Sequence, residues 1–242
     1  MWQAALWGGI AGSAVLLGAI AGILFNIRRN IIGAIMAFGT GVLIGAASFE
    51  LLADSVNEGG LAATVAGFLA GALIFTVVDI LLSRKGGKER KRSREGSRNS
   101  TGLAIFFGTV FDAIPESVIL GVSLLESKSV SWLLVAAIFI SNIPEGMSSS
   151  VGLKKDGYSN RKILILWLVV LALSAVSSFA GYILLADASP VLIGGIGAFA
   201  AGGVVSMVSS TMMPEAYEEG GPIVGLIAAS GLLCSLVLSH LS

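Results

Sequence analysis

Eight apolar runs leave this chain almost no sequence from which to build a water-exposed domain. Each run has about 20 residues or more, the length that an α-helix needs to cross the hydrocarbon core of a bilayer. Charged residues make up 12% of the 242 residues, about half of the share in soluble domains. The sequence therefore predicts an all-α integral membrane protein with one transmembrane domain, residues 1–242. The predicted spans are residues 3–26, 31–54, 60–83, 100–126, 130–153, 162–186, 190–213 and 222–241.

The basic residues are distributed unequally over the predicted connections. Residues 84–99, between the third and fourth spans, contain eight of the fifteen Lys and Arg residues. By the positive-inside rule we expect this segment to be a cytoplasmic loop. Fourteen of the fifteen basic residues then lie in the cytoplasm, with Lys128 as the exception, and both termini are extracytoplasmic. The loop serves as a topology signal or, alternatively, contacts anionic lipid or a regulatory partner.

A weak internal repeat relates the second and seventh spans. Residues 38–55 align without gaps to residues 199–216, and the alignment pairs Phe38 with Phe199. In the predicted topology these two spans run in opposite directions. An inverted repeat of this kind predicts a 3+2+3 arrangement of helices, with a substrate site near the membrane midplane.

The fourth span carries charge where an apolar helix should have none. Asp112 and Glu116 are four residues apart and share one helix face. Pro115 lies between them and removes the backbone hydrogen bond to the carbonyl of Phe111. At membrane depth a freed carbonyl oxygen must be satisfied by a neighbour, by water or by an ion.

The fifth span nearly repeats this pattern. Ser141 and Glu145 are again four residues apart, Asn142 lies between them, and Pro144 precedes the glutamate. If the two spans pack antiparallel, Asp112 comes level with Glu145, and the oxygen atoms form one compact cluster. Such a cluster favours a hard divalent cation. A water-filled packing defect with protonated acids is the alternative.

These two segments resemble the signatures of the ZIP (Zrt/Irt-like) family of divalent metal transporters. The family pattern in the fourth helix is His-Asn-x-Pro-Glu-Gly, and residues 112–117 read Asp-Ala-Ile-Pro-Glu-Ser. In the fifth helix the family commonly has His or Gln, then Asp, Glu or Ser, then x-Pro-Glu-Gly. Residues 141–146 read Ser-Asn-Ile-Pro-Glu-Gly there. The resemblance covers the whole chain and implies eight helices and transport of a divalent metal ion, with no cofactor.

The resemblance also implies a ligand set, from which this chain departs. The implied first metal position consists of Asp112, Glu116, Ser141 and Glu145. The implied second position adds Asn142, with Ala113 and Ser177 where the family has Asn and Glu. We therefore expect a degraded second position and a first position made only of oxygen ligands. Because zinc favours nitrogen and sulfur ligands, such a site leans toward manganese, iron, cobalt or magnesium.

Further polar residues flank the predicted site. Glu50 and Asp54 lie near the outer end of the second span, and Thr211 and Glu215 lie in the seventh. We expect them to serve as entry and exit positions along a pathway. Ordinary interfacial charge, without a role in transport, is the alternative.

A different class of function is a ZIP-like protein that no longer transports and acts as a sensor, regulator or assembly partner. The missing histidine and sixth-helix glutamate favour it, whereas the retained carboxylates oppose it. An enzyme is not expected, because the predicted spans contain no histidine except His240 near the end of the last. We expect a multi-pass protein of the cell membrane whose partners are metal ions and lipid, not nucleic acid. Its faces rich in Gly and Ala permit a homodimer.

Overall fold

The computed structural model describes residues 2–25, 27–84, 101–126 and 130–241. Within these ranges the chain is almost entirely helical and forms no β-strand. Two short π-helical segments, π1 (Ala47–Leu52) and π2 (Val208–Met212), interrupt the α-helices. The α-helices are α1 (Trp2–Leu24), α2 (Arg29–Ala46), α3 (Ala53–Arg84), α4 (Thr101–Glu126), α5 (Trp132–Lys155), α6 (Asn160–Leu184), α7 (Pro190–Met207), α8 (Met213–Gly220) and α9 (Val224–Leu241).

Six helical stretches of the described chain are long and apolar enough to cross a membrane. Two of them, Arg29–Leu81 and Pro190–Leu241, have 53 and 52 residues. A straight helix of that length would extend about 80 Å, far beyond the hydrocarbon core of about 30 Å. Each stretch contains a break at a glycine with positive φ, Gly60 (75°) and Gly221 (71°). The all-α membrane fold is thus confirmed, while the count of eight spans stays a prediction.

The predicted basic loop falls largely outside the described residues. Arg84 is the last residue of α3, and residues 85–99 are not among those described. The predicted boundary between the second and third spans, residues 54–60, corresponds to the start of α3 and its break at Gly60.

The internal repeat is visible in the backbone. The alignment that pairs residues 38–55 with 199–216 also pairs the first residue of π1, Ala47, with the first residue of π2, Val208. Continued with the same spacing, it pairs Gly60 with Gly221, the two glycines that break the long stretches. The two segments therefore share both their π-helical interruptions and their positive-φ breaks.

Contacts between helices repeat in the same way. α2 packs against α9, and α3 packs against α7. A Cβ atom at Gly71 would collide with the carbonyl oxygen of Phe199, and a Cβ atom at Gly231 would collide with that of Phe38. The sequence alignment pairs Phe38 with Phe199, and Gly231 lies one position before the residue paired with Gly71, so the two contacts correspond to within one residue. The repeat seen in the sequence is thus also a repeat of packing.

The remaining helices form matched pairs. α1 packs against α5, and α6 packs against α4. α1 also packs against α6 in antiparallel fashion, since Gly8 meets Ser178 and Gly12 meets Ser174. Exchange of α1 with α6 and of α4 with α5 therefore turns the first pair of helices into the second. Glycine permits these close approaches because membrane helices associate by packing and not by a hydrophobic driving force between them.

We predict that Gly71→Ala destabilises the protein by about 1–3 kcal/mol, because the added methyl group meets backbone that cannot move away. Gly225→Ala is the matched control, since a Cβ atom there has no neighbour within 4 Å. Thermal unfolding of the detergent-purified variants measures both effects. Equal stability of the two variants would contradict the packing described for α3 and α7.

Candidate metal centre

Asp112 and Glu116 lie on α4, which continues through Pro115 without ending. The two carboxylate residues are 5% and 6% exposed and line a cavity bounded by α2, α3, α4, α5 and α7. The cavity wall is otherwise mainly apolar, with residues that include Leu43, Phe75, Phe111, Leu134, Phe199 and Met207. Two acidic side chains of α4 thus lie among apolar residues of α2, α3, α5 and α7.

α5 contributes the second set of predicted ligands. Ser141, Asn142 and Glu145 are 2%, 6% and 3% exposed. Glu145 Oε1 accepts a hydrogen bond of 2.9 Å from Thr109 Oγ1 on α4. Ser141 Oγ donates to the carbonyl of Ile138 at 3.0 Å, so its proton is used within its own helix. All five predicted ligands on α4 and α5 are therefore buried.

The structure does not gather these side chains into the compact cluster expected from the sequence. Among the described residues, no three His, Cys, Asp or Glu side chains come close enough together to hold a metal ion. Glu145 accepts a hydrogen bond from Thr109, one turn before Asp112 on α4. The predicted cluster assumes two antiparallel helices that contact only each other. In the structure the position of α5 is also set by α2, where a Cβ atom at Gly39 would lie 3.0 Å from Cα of Ser141.

Glu50 and Asp54 line a second cavity, at the predicted outer end of the protein. Glu58, Ser123 and Ser131 line the same cavity. Ser131 Oγ donates to Glu50 Oε2 and accepts a hydrogen bond of 3.0 Å from the backbone N–H of Leu134. Ser131 is therefore both the N-cap of α5 and the hydrogen-bond partner of an acidic residue in π1.

Glu215 lies on α8, at the predicted inner end, and is 3% exposed. Ser148 Oγ on α5 donates to Glu215 Oε1 at 2.5 Å. Thr211 is half-buried within π2, and its hydroxyl lies 3.2 Å from Ser210 Oγ. Nearby, Arg29 Nη1 lies 3.7 Å from Glu219 Oε1, which joins the start of α2 to the end of α8.

The predicted second metal position, with Ser177 on α6, stays a prediction. This residue is half-buried on α6 and lines neither of the two cavities described above. The next residue, Ser178, is the buried one, and it packs against Gly8 and Gly121. His240 is exposed in the last turn of α9.

Sequence reasoning missed the hydroxyl partners of the acids. Thr109 lies three residues before Asp112, and Ser148 lies three residues after Glu145, so each shares a helix face with a predicted ligand. That spacing was the available signal. The spacing does not identify the carboxylate that each hydroxyl contacts, because that carboxylate lies on another helix. Thr109 on α4 donates to Glu145 on α5, and Ser148 on α5 donates to Glu215 on α8.

The sequence model of the ZIP zinc transporter family matches residues 82–241. The chain belongs to the ZIP family. A protein of Arabidopsis thaliana named as a candidate zinc transporter is 29% identical over 212 residues, which are 87% of this chain and 34% of that relative. The chain thus spans about a third of that relative's length. ZIP membership and the six apolar stretches identify a multi-pass integral membrane protein. The family is described as one of zinc transporters, and the Arabidopsis relative is named for zinc transport.

We predict that Ser131→Ala destabilises the protein more than Ser189→Ala. Both serines cap a helix, since Ser189 Oγ accepts from the backbone N–H of Leu192 at 3.3 Å, but only Ser131 also donates to a carboxylate. Loss of the cap costs about 1 kcal/mol in either variant, and loss of a hydrogen bond to a charged group adds about 1 kcal/mol or more. Thermal unfolding in detergent compares the variants, and equal losses would contradict a stabilising bond to Glu50.

Proposed function

We propose that this ZIP-family protein carries divalent metal cations across the cell membrane, with Asp112, Glu116 and Glu145 as its principal ligands. The observation that carries the proposal is the burial of these three carboxylate residues, on two neighbouring helices that each contain a proline. A charged carboxylate inside an apolar helix costs about 2.5–3.5 kcal/mol on insertion scales. A cation that passes between the helices offsets this cost.

The donor chemistry supports a preference for hard ions. The proposed ligands are carboxylates, together with the hydroxyl of Ser141 and the amide of Asn142, and they include no imidazole or thiolate. Oxygen ligands suit manganese, ferrous iron, cobalt and magnesium better than they suit zinc. The proposed order of preference therefore places zinc below these ions, although the Arabidopsis relative is named for zinc.

We further propose that the ion moves stepwise between acidic positions. Glu50 and Asp54 receive it in the outer cavity, the residues of α4 and α5 bind it centrally, and Glu215 receives it on the inner side. The carbonyl oxygens of Phe111 and Ile140, which Pro115 and Pro144 leave without their helical N–H partner, supply further oxygen ligands near the centre.

Transport across the bilayer requires a defined topology, and the proposal includes eight crossings with both termini outside. Each of the two long stretches then crosses twice and reverses at its positive-φ glycine. The matched contacts of α1 with α5 and of α6 with α4 support an inverted 3+2+3 arrangement. The site would then lie between oppositely oriented halves, as is usual for transporters built from inverted repeats.

We predict that a cysteine at Asp187 is labelled by a membrane-impermeant maleimide in intact cells, whereas a cysteine at Lys155 is labelled only after permeabilisation. Both residues are exposed. Lys155 is the last residue of α5, shortly before α6 begins, and Asp187 follows the other end of α6. Cys234→Ser provides the background, because Cys234 is the one native thiol. The reverse labelling pattern would overturn the proposed orientation.

The decisive experiment is metal uptake by cells that express the protein. We expect Asp112→Asn, Glu116→Gln and Glu145→Gln together to lower uptake of Mn²⁺ by at least about ten-fold, because even second-shell changes at metal sites cost about 10–100-fold in affinity. Asp187→Asn removes an exposed carboxylate in a turn and serves as the matched control. Uptake of Zn²⁺, Co²⁺ and Fe²⁺ in parallel tests the order of preference. Equal uptake of every metal by the parent and the triple variant would refute the proposed site.

A transport-inactive protein that acts as a sensor, regulator or assembly partner is the second candidate. Three observations favour it: no compact three-residue metal cluster forms among the described residues, Ser177 lies away from the cavity, and Ala113 replaces the family asparagine. Calorimetric titration of the purified protein with Mn²⁺ separates the two candidates when combined with uptake. Binding without uptake would favour a sensor, and absence of both would favour an assembly role.

A further inference from the structure

Most hydroxyl groups whose bonds are described in this protein donate to their own helix. Thr40 Oγ1 donates to the carbonyl of Met36 at 2.8 Å, and Thr64 Oγ1 donates to that of Gly60 at 3.0 Å. This arrangement is expected in an apolar environment, because a hydroxyl must donate to something and the carbonyl one turn earlier is the nearest acceptor. The same bond is formed by Ser48, Ser55 and Thr76.

Three hydroxyls behave differently and donate to a carboxylate on another element. Ser131 donates to Glu50, Thr109 donates to Glu145, and Ser148 donates to Glu215. All three acceptors are acidic residues of the proposed pathway. A hydroxyl has one proton, so the proton that Thr109, inside α4, donates to Glu145 is not used within its own helix. The three hydroxyls that donate to another element thus all bind acidic residues of the proposed ion pathway.

We infer that Thr109 is a positioning residue that holds the carboxylate of Glu145 in its ion-binding orientation. Thr109 is 2% exposed and lies three residues before Asp112, on the face of α4 that carries the predicted ligands. Its bond to Glu145 spans from α4 to α5 at 2.9 Å. The inference deepens the proposed function and rests on it, since it concerns the same site.

The physical role follows from the flexibility of glutamate. A glutamate side chain has three rotatable bonds, and a bond at one carboxylate oxygen restricts the plane in which the other oxygen lies. Threonine is suited to the task because its β-branched side chain has restricted rotation about χ1. Thr109 therefore presents its donor from one of few rotamers, and its bond orients Glu145 before an ion arrives.

The test is Mn²⁺ uptake by a Thr109→Val variant, which keeps the shape of the side chain and removes the hydroxyl. We expect the half-saturating Mn²⁺ concentration to rise about ten-fold, since a hydrogen bond to a charged group contributes a factor of this size. The maximal rate should change much less. Thr109→Ser, which keeps the hydroxyl, should restore most of the affinity. A purely packing role predicts the reverse, with Val tolerated and Ser impaired.

Thr40→Val is the matched control. Thr40 is fully buried in α2, and its hydroxyl bonds within its own helix. We expect its half-saturating concentration to match that of the parent protein. The amount of each variant in the membrane is measured alongside, and Thr109→Ala replaces Thr109→Val if the latter does not accumulate. A control that loses as much affinity as Thr109→Val would overturn the inference.

Glu145→Gln separates failure of the inference from failure of the proposed function. If Glu145→Gln takes up Mn²⁺ like the parent, the proposed site is wrong. If Glu145→Gln loses uptake while Thr109→Val equals the parent, only the role of Thr109 is wrong. We expect both variants to be impaired and the double variant to be no worse than Glu145→Gln, because Thr109 acts through that carboxylate.

Discussion

The carbonyl oxygen of Phe199 lies against Gly71, and that of Phe38 lies against Gly231, so that helix backbones meet with no side chain between them. The rest of the structure depends on this close approach. A bilayer supplies no hydrophobic force between helices, and their association relies on contact of backbone with backbone. The same contacts bring α2 and α7 to the wall of the cavity that α4 lines with its two carboxylates.

The close packing of the helices determines how the buried acidic residues obtain hydrogen-bond partners. A carboxylate buried between helices has a high desolvation cost, which hydrogen-bond donors of the protein offset. Thr109, Ser131 and Ser148 supply such donors from α4 and α5. The structure thus supplies a hydroxyl donor to each of Glu50, Glu145 and Glu215, the acidic residues of the proposed pathway. A metal transporter needs a series of acidic residues, because a cation must be compensated at every depth it passes.

The sequence predicted much of the fold because helix length and hydropathy are local properties. α5 and α6, for example, lie close to their predicted spans, residues 130–153 and 162–186. Predicting the site was harder. The burial of Asp112, Glu116 and Glu145 could be expected from charge within apolar runs, but their mutual placement could not. The placement of these side chains depends on the rotation and depth of each helix. Contacts with α1 and α2 decide both, and no local sequence pattern indicates those contacts.

By itself the sequence determined the all-helical membrane class, the carboxylate and proline pairs of the two central helices, and the repeat of residues 38–55 in 199–216. These follow from composition, spacing and the order of residues along one chain. Tertiary structure alone decided that Glu145 meets Thr109 and that Ser177 lies away from the cavity. The physical reason is that a side chain's partner across a helix interface depends on packing between elements distant in sequence.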